Sequence, residues 1–481
     1  MKVCLINGPR YNCKASSKST VPLPLAYLAA YVRQRGHSVR CIDGILVGSP
    51  RRIARLAAAG EPDVVGVATN TNDRFAGITT IAAIRQALPR AFIVGGGHHF
   101  AQAPEDALRR IDALDAVVVG QGEETLAELL ECLPDTDALG RIQGLVWRDR
   151  DGQIVFNEPR PLMKDINGLP MPAWELFDLS AYDMRMINAD EDRMLGVMTM
   201  RGCPHRCVFC GSSITRRVQF LAPELAVDQL EHLRKNYGMT AFRLYDDTPL
   251  VRKSHAMAFC EEILRRDLKL EWWGNSRAQH LDPDVLALMR RSGCKVISLG
   301  VESGSDKVLR ASKKDVTAEE MVEAFENVAR AGFEKVTVCL LLGLPGESPQ
   351  TIDESVAVVR KLRAIVGEAW HTHSMIGQLP LMYPGTELEA ISKHQGTLPE
   401  DFSWNAPYID PNWHCPVIST RYWAVPHFVN PDFPISAICR HLRRFYWKEL
   451  SPGRKRRFLR APLRRLQHSL RLKKPVAARA P

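Results

Sequence analysis

Residues 201–211 read Arg-Gly-Cys-Pro-His-Arg-Cys-Val-Phe-Cys-Gly. Three thiols, Cys203, Cys207 and Cys210, share one loop in the spacing C-x3-C-x2-C. Thiolates are soft ligands suited to zinc or to iron–sulfur clusters. A closed structural zinc site takes four ligands, and His205 would supply the fourth only with awkward local geometry. Three cysteines leave one iron of a [4Fe–4S] cluster without a protein ligand, and that iron can bind a substrate or cofactor. The other nine cysteines are scattered singly, which is not a disulfide framework. Cys4, Cys41, Cys294 and Cys339 lie in apolar strand contexts and read as core residues.

The loop follows a predicted strand at 196–200. Further strands are predicted at 242–245, 271–275, 296–300, 335–342 and 375–379. Helical patterns at 223–236, 254–266, 282–291, 318–331 and 351–365 fall between them. Six βα repeats predict a (β/α)6 partial barrel with its site where the strands end. Those ends carry Asp246-Asp247, Arg277, Glu302-Ser303-Gly304 and Gly343-Leu344-Pro345-Gly346-Glu347. Trp272 and Trp273 fit either substrate stacking or barrel packing.

The first 135 residues alternate in the same way, with strands at 3–7, 38–43, 63–70, 92–94 and 116–119. Helices at 23–35, 51–59, 75–88 and 125–133 complete a doubly wound, Rossmann-like α/β domain. Its strand ends are rich in Gly and small polar residues: Gly8, Gly44, Thr69-Asn70-Thr71, Gly95-Gly96-Gly97-His98-His99 and Gly120-Gln121-Gly122-Glu123. None fits GxGxxG after the first strand, which argues against a nicotinamide cofactor. A hairpin is predicted at 144–159, around Asp149-Arg150-Asp151-Gly152. The Pro-rich stretch 169–174 reads as a linker.

These patterns divide the 481 residues into a Rossmann-like domain (1–140), a hairpin and linker (141–190), a barrel (191–395) and a mainly helical cap with a basic tail (396–481). With 45% hydrophobic and 25% charged residues, the chain reads as globular, and wholesale disorder is excluded. No apolar run reaches 18 residues, and the N-terminus reads as a strand without a signal peptide, so a cytoplasmic protein is expected. The net charge of +10 is uneven. Residues 440–481 hold fifteen Lys or Arg against one acid, so the tail carries +14 and the rest about −4. Leu459, Leu463, Leu466 and Leu470 recur there at helical spacing. A solvated surface helix is the first reading of the tail, and peripheral membrane contact is the second. Nucleic acid is not expected as a partner.

At the cysteine loop the chain resembles the radical S-adenosylmethionine superfamily, whose signature is this spacing with an aromatic residue, here Phe209, before the last cysteine. The resemblance implies a cluster on Cys203, Cys207 and Cys210 and S-adenosylmethionine contacts from Phe209, Asp246, Asp247, Arg277, Glu302, Ser303, Gly343 and Pro345. The N-terminal residues 22–31 and 36–39, with the Gly-rich strand ends, resemble cobalamin-binding domains fused to radical enzymes. They imply cobalamin contacts from Thr69, Asn70, Gly96, Gly97, His98, Gly120, Gly122 and Glu123. Two features depart from the usual pattern: Gln121 replaces a glutamate, and the DxHxxG motif that supplies an axial histidine is absent. Cobalt would then face water or a residue such as Arg10, Tyr11 or Asn12; His98 and His99 read better as turn residues. The resemblance covers about 390 residues and implies a class B methyltransferase. Such an enzyme moves a methyl group from methylcobalamin to an unactivated carbon of a small-molecule or lipid-like substrate, through a 5′-deoxyadenosyl radical. It also implies an electron donor such as flavodoxin or ferredoxin. The alternative is an oxidative cyclase like the anaerobic magnesium-protoporphyrin monomethyl ester cyclase.

Overall fold

Strand β1 (Lys2–Asn7) buries Val3, Cys4, Leu5 and Ile6 in succession. A parallel strand covered by helices on both faces requires such an unbroken apolar run. The chain is described here by a computed structural model covering residues 1–10, 20–182, 193–214, 216–371, 375–407, 426–434, 436–438 and 440–441. Tyr11, Asn12 and nearly all of the basic tail, with its leucine repeat, lie outside the described residues.

Around β1 lie β2 (Ser38–Asp43), β3 (Val64–Ala68), β4 (Phe92–Gly96), β5 (Ala116–Val118), β6 (Leu145–Arg148) and β7 (Ile154–Phe156), in the spatial order β2-β1-β3-β4-β5-β6-β7. The first five run parallel. The order reverses between β1 and β3, and the crevice at such a switch point is where doubly wound sheets take ligands. The hairpin β6–β7 continues the same sheet antiparallel. It is therefore an edge of the first domain, not a free part of the linker. The sequence pattern shows a hairpin but not what it pairs with.

The second sheet begins with β8 (Met194–Val197), which is shorter than predicted. The chain then leaves the sheet, and β9 (Met200–Arg201) pairs antiparallel with β10 (Gln219–Phe220). The remaining strands are β11 (Ala241–Leu244), β12 (Glu271–Ser276), β13 (Cys294–Glu302), β14 (Lys335–Leu341) and β15 (Met375–Gln378). The six-stranded parallel sheet has the order β15-β14-β13-β12-β11-β8, an open barrel wall. Side chains alternate across it with period two. Phe242, Leu244, Trp272, Ile297, Leu299, Val336 and Val338 join the core under the helices. Arg243, Trp273, Asn275, Ser298, Thr337 and Cys339 face the other way, into the barrel, and are less deeply buried on the whole. Cys339 is thus a half-buried interior residue, whereas Cys4 and Cys294 are core. Trp272 packs in the core, stacked on Phe242 at 5.5 Å. The described part of the cap is mostly irregular backbone, with helical turns from residue 436.

One apolar core runs through both sheets. It joins Val3, Leu5 and Val94 to Leu230 and Leu233 through helix Leu23–Gln34 and Trp174 of the linker. The joint is polar at its centre. The Tyr27 hydroxyl lies 3.1 Å from Gln229 Oε1 and 2.9 Å from Nε2, with both residues buried. Tyr27→Phe leaves a buried amide unpaired, and such a group costs about 1–3 kcal/mol. The variant is expected to unfold at lower denaturant, with an unchanged slope in a urea titration.

Candidate active site

The cysteine loop is set by a carboxylate on the neighbouring strand. Asp246, just beyond β11, accepts hydrogen bonds from Thr199 N (2.8 Å), Thr199 Oγ1 (2.5 Å) and Met200 N (3.1 Å). It is buried, and burial pushes its carboxyl up to about 7. These bonds turn the chain out of β8 and start the loop at the strand-end rim. Gly202 there has φ +85°, a left-handed conformation that glycine adopts without strain. Val208 N donates to Ser312 O (3.2 Å), and Val208 O accepts from Leu388 N (2.9 Å). Two other elements therefore bracket the loop through its backbone. Phe209 packs against a small core of Val208, Met382, Leu388, Leu398, Trp404 and Phe428.

Cys203 and Cys207 are buried and Cys210 is half-buried. Burial pushes the Cys203 and Cys210 thiols up, so thiolates here require a compensating positive charge, which a cluster's iron supplies. Arg277 Nη1 donates to Cys207 Sγ at 2.8 Å. Among the described residues, no three His, Cys, Asp or Glu side chains converge on a single-ion site. Three thiols on one loop, with a guanidinium on one of them, fit a cluster that keeps one iron open. His205 is turned to His280, with the two Nε2 atoms 2.9 Å apart. Burial and Arg277 push its imidazole down to about 4.

The barrel strand ends gather around this loop. Asp247 is exposed and accepts from Ser212 Oγ (2.7 Å). Arg277 also donates to Lys314 O and to Gln279 Oε1 (3.3 Å). Glu302 sits at a register shift between β13 and β14, with φ +62°, an uncommon conformation for a side-chain-bearing residue. Its carboxylate pairs with Lys314 Nζ at 3.2 Å, both groups buried. A Cβ on Gly300 would lie 2.6 Å from Glu302 Oε1, so the bare backbone there makes room for the pair. Ser303 is buried, with its hydroxyl on Ser355 Oγ (3.1 Å) and Ser305 N (3.2 Å). Gly343 has φ +92°, its N–H donates to Glu347, and Pro345 is half-buried. Glu347 is buried, its Oε1 has no partner among the described residues, and burial pushes it up to about 7. Lys314, His280 and the buried Glu347 carboxylate were not assigned from sequence. Lys314 lies in Ser-Lys-Lys-Asp, which reads as solvated surface and gives no signal.

In the first domain, Thr69 is buried and Asn70 exposed. Gly97 has φ +76°, and a Cβ on it would meet Thr69 N and O at 3.0 Å. Gly96 and Gly120 border open space, and His98 is exposed. Gly122 lies beside Leu28. Glu123 is spent across the domain joint, where Arg201 Nη2 reaches it at 2.6 Å. Gln121 also spans the joint, donating to Gln219 Oε1 (2.7 Å) and accepting from Met163 N (2.9 Å). An amide serves both bonds, whereas a carboxylate only accepts. His99 is buried, with Nδ1 near Thr71 Oγ1 (3.3 Å) and Nε2 near Asn405 Oδ1 (3.2 Å). Burial pushes it down to about 3, so it is a neutral hydrogen-bonding residue inside the helix Gly97–Gln102, not a turn residue. Arg10 pairs with Asp73 at 3.5 Å. Gln102 ends helix Gly97–Gln102, and its Nε2 contacts Gly211 O, next to Cys210, at 3.4 Å.

Two outcomes follow from this geometry. Cys207→Ala, reconstituted without oxygen, is expected to lose most of its iron and the broad visible absorption of a cluster; wild-type iron content would reject Cys207 as a ligand. Glu347 binds its proton more tightly folded than unfolded, so its contribution to stability falls as pH rises from about 4.5 through about 7. In Glu347→Gln, urea midpoints measured across that range are expected to vary less with pH than in the wild type.

A B12 binding domain profile matches residues 14–130, and a Radical SAM superfamily profile matches residues 197–359. An uncharacterized methyltransferase of Pyrococcus horikoshii is 29% identical over 393 residues, which are 81% of this chain and 82% of that protein. The anaerobic magnesium-protoporphyrin IX monomethyl ester cyclase of a Synechocystis species is 28% identical over 65% of this chain; the match spans 63% of the cyclase, under two thirds of its length. The radical S-adenosylmethionine methyltransferase TsrM of Kitasatospora setae, solved with cobalamin and a [4Fe–4S] cluster, shares the fold. Its TM-score is 0.66 at 19% identity, covering 82% of this chain and 75% of that one. No helix among the described residues is long and apolar enough to cross a membrane. With its three-thiol loop on a partial barrel and a cobalamin domain fused before it, the chain is a cobalamin-binding radical S-adenosylmethionine enzyme.

Proposed function

We propose that the enzyme is a methyltransferase that places a methyl group on an unactivated carbon of a small molecule. The contact that carries this reading is Gln102 on Gly211. It sets a strand-end helix of the cobalamin domain against the residue after Cys210, which supports a cobalamin bound next to the cluster loop. When bound, S-adenosylmethionine on the cluster supplies the radical and the methyl group, and cobalamin carries the methyl group.

The chain's own residues have separable tasks. Cys203, Cys207 and Cys210 hold the cluster, and Phe209 packs the loop from behind. Asp247, exposed at the rim, orients the charged methionine end, and Arg277 supports that end from behind, its three nitrogens engaged by Cys207, Lys314 and Gln279. Glu302, held by Lys314, faces the ribose side, and the turn at Gly343 and Pro345 borders the adenine. Asp246 and Ser303 act by fixing backbone, since their polar atoms are engaged inside the protein. On the other side Asn70, Gly96, Gly97, His98 and Gly120, which are exposed or beside open space, would border the corrin. Thr69 and Gly122 pack inside the domain beneath them, and Glu123 secures the joint behind.

The cyclase reading stays as the second one, because a cyclase is 28% identical to this chain over 65% of it, against 29% over 81% for an uncharacterized methyltransferase. One experiment separates the two. The anaerobically reconstituted protein is given cobalamin, reductant and methyl-deuterated S-adenosylmethionine, and the corrin is read by mass spectrometry. A deuterated methyl group on the corrin is expected. Unmethylated corrin together with 5′-deoxyadenosine would move the function to ring formation.

A further inference from the structure

Inside the barrel, Arg243 of β11 carries a charge that the cluster and S-adenosylmethionine contacts leave unused. Its guanidinium carbon lies 4.3 Å from the centre of the Trp273 ring and 5.9 Å from that of Tyr245. The Trp273 ring is fixed from behind: Nε1 donates to Ser298 Oγ (2.7 Å), which lies 2.6 Å from Thr337 Oγ1. Three adjacent strands thus hold one rigid shelf under a cation. In register, Arg243 faces Gly196 of β8. The space beside Gly196 is filled by the Tyr245 ring, which would lie 1.8 Å from a Cβ there.

Among the described residues, Arg243 has neither a carboxylate nor a hydrogen-bond acceptor, and none of its nitrogens is sealed away from solvent. A half-buried guanidinium normally meets an anion, because its five N–H donors lose water on burial. Stacking on an aromatic face offsets part of that loss and leaves the donor edge free. We propose that Arg243 and the Trp273 shelf form the subsite for an anionic group of the substrate, a carboxylate, phosphate or phosphonate. This rests on reading the barrel as the reaction chamber. It assigns the substrate class: a molecule anchored through an anionic end in the barrel, with its reacting carbon toward the strand-end rim. A planar guanidinium can grip such a group through two parallel hydrogen bonds.

The test uses the full chain, reconstituted with cluster, cobalamin and S-adenosylmethionine and labelled with 5-fluorotryptophan. The Trp273 signal is assigned by its loss in Trp273→Phe. Inorganic phosphate, methylphosphonate and acetate are titrated at constant ionic strength, with chloride as the control. A saturable shift of the Trp273 fluorine signal with at least one of the three anions, but not chloride, is expected. In Arg243→Gln the binding is expected to weaken about tenfold or more, and in Arg243→Lys by less. No shift in the wild type, or an equal shift in Arg243→Gln, overturns the proposal. If Arg243→Gln fails to fold, Arg243→Lys decides, because unchanged affinity for all three anions in that variant also overturns it. Formation of 5′-deoxyadenosine is measured in the same samples. An Arg243-dependent shift supports the anion subsite even if the corrin is never methylated, so this proposal and the methyl-transfer reading fail separately.

Discussion

The whole arrangement hangs on the buried Asp246 carboxylate. Three hydrogen bonds hold it to the turn at Thr199 and Met200. Without them the chain beyond β8 would have no reason to leave the sheet, and the thiols would not reach the rim where the strands end. The protein carries this group at a cost, since burial disfavours the ionised form and only part of that is returned by the donors around it. A neutral amide there would keep the size but place a donor where one carboxylate oxygen accepts, so the site depends on acceptor pattern as well as shape.

A second constraint comes from the far end of the chain. The small core of Val208, Met382, Leu388, Leu398, Trp404 and Phe428 draws the cysteine loop and the described cap together. Beside it, Asn405 donates twice to Asp106 (2.9 and 2.8 Å), and Arg74 Nε donates to Trp404 O (2.5 Å). The described residues of the cap therefore touch the cluster loop and the first domain at once. The loop is held from both sides, through the backbone of Val208 and the side chains of Val208 and Phe209.

The sequence carried more of this than its side-chain partners. Unbroken apolar runs such as 3–6 and 64–67 mark parallel strands, because both faces of those strands are covered. The cysteine spacing and the Gly-rich strand ends mark where ligands belong. What stayed hidden depends on contacts between distant positions. The bonds of His99 to Asn405 and of Tyr27 to Gln229 join residues 306 and 202 positions apart, and no local pattern encodes them. Glu302 in a left-handed conformation is likewise a product of its pairing with Lys314, not of its neighbours in sequence. Glu123 belongs to a recognisable motif, yet its carboxylate is claimed by Arg201. Motif membership gives the position of a side chain but not its partner.

The linker has a consequence for how such proteins diversify. Trp174 is fully buried and stacked on His232 (6.0 Å), and Ala173 N donates to Ala26 O (3.0 Å). The stretch that looks like a seam between modules is thus part of the packing of both. Recombination that exchanged one module alone would have to bring a matching linker and a matching face on helix Pro223–Tyr237. Exchange of one module alone would leave this packed seam unmatched, so the two are bound to each other by packing as well as by the chain.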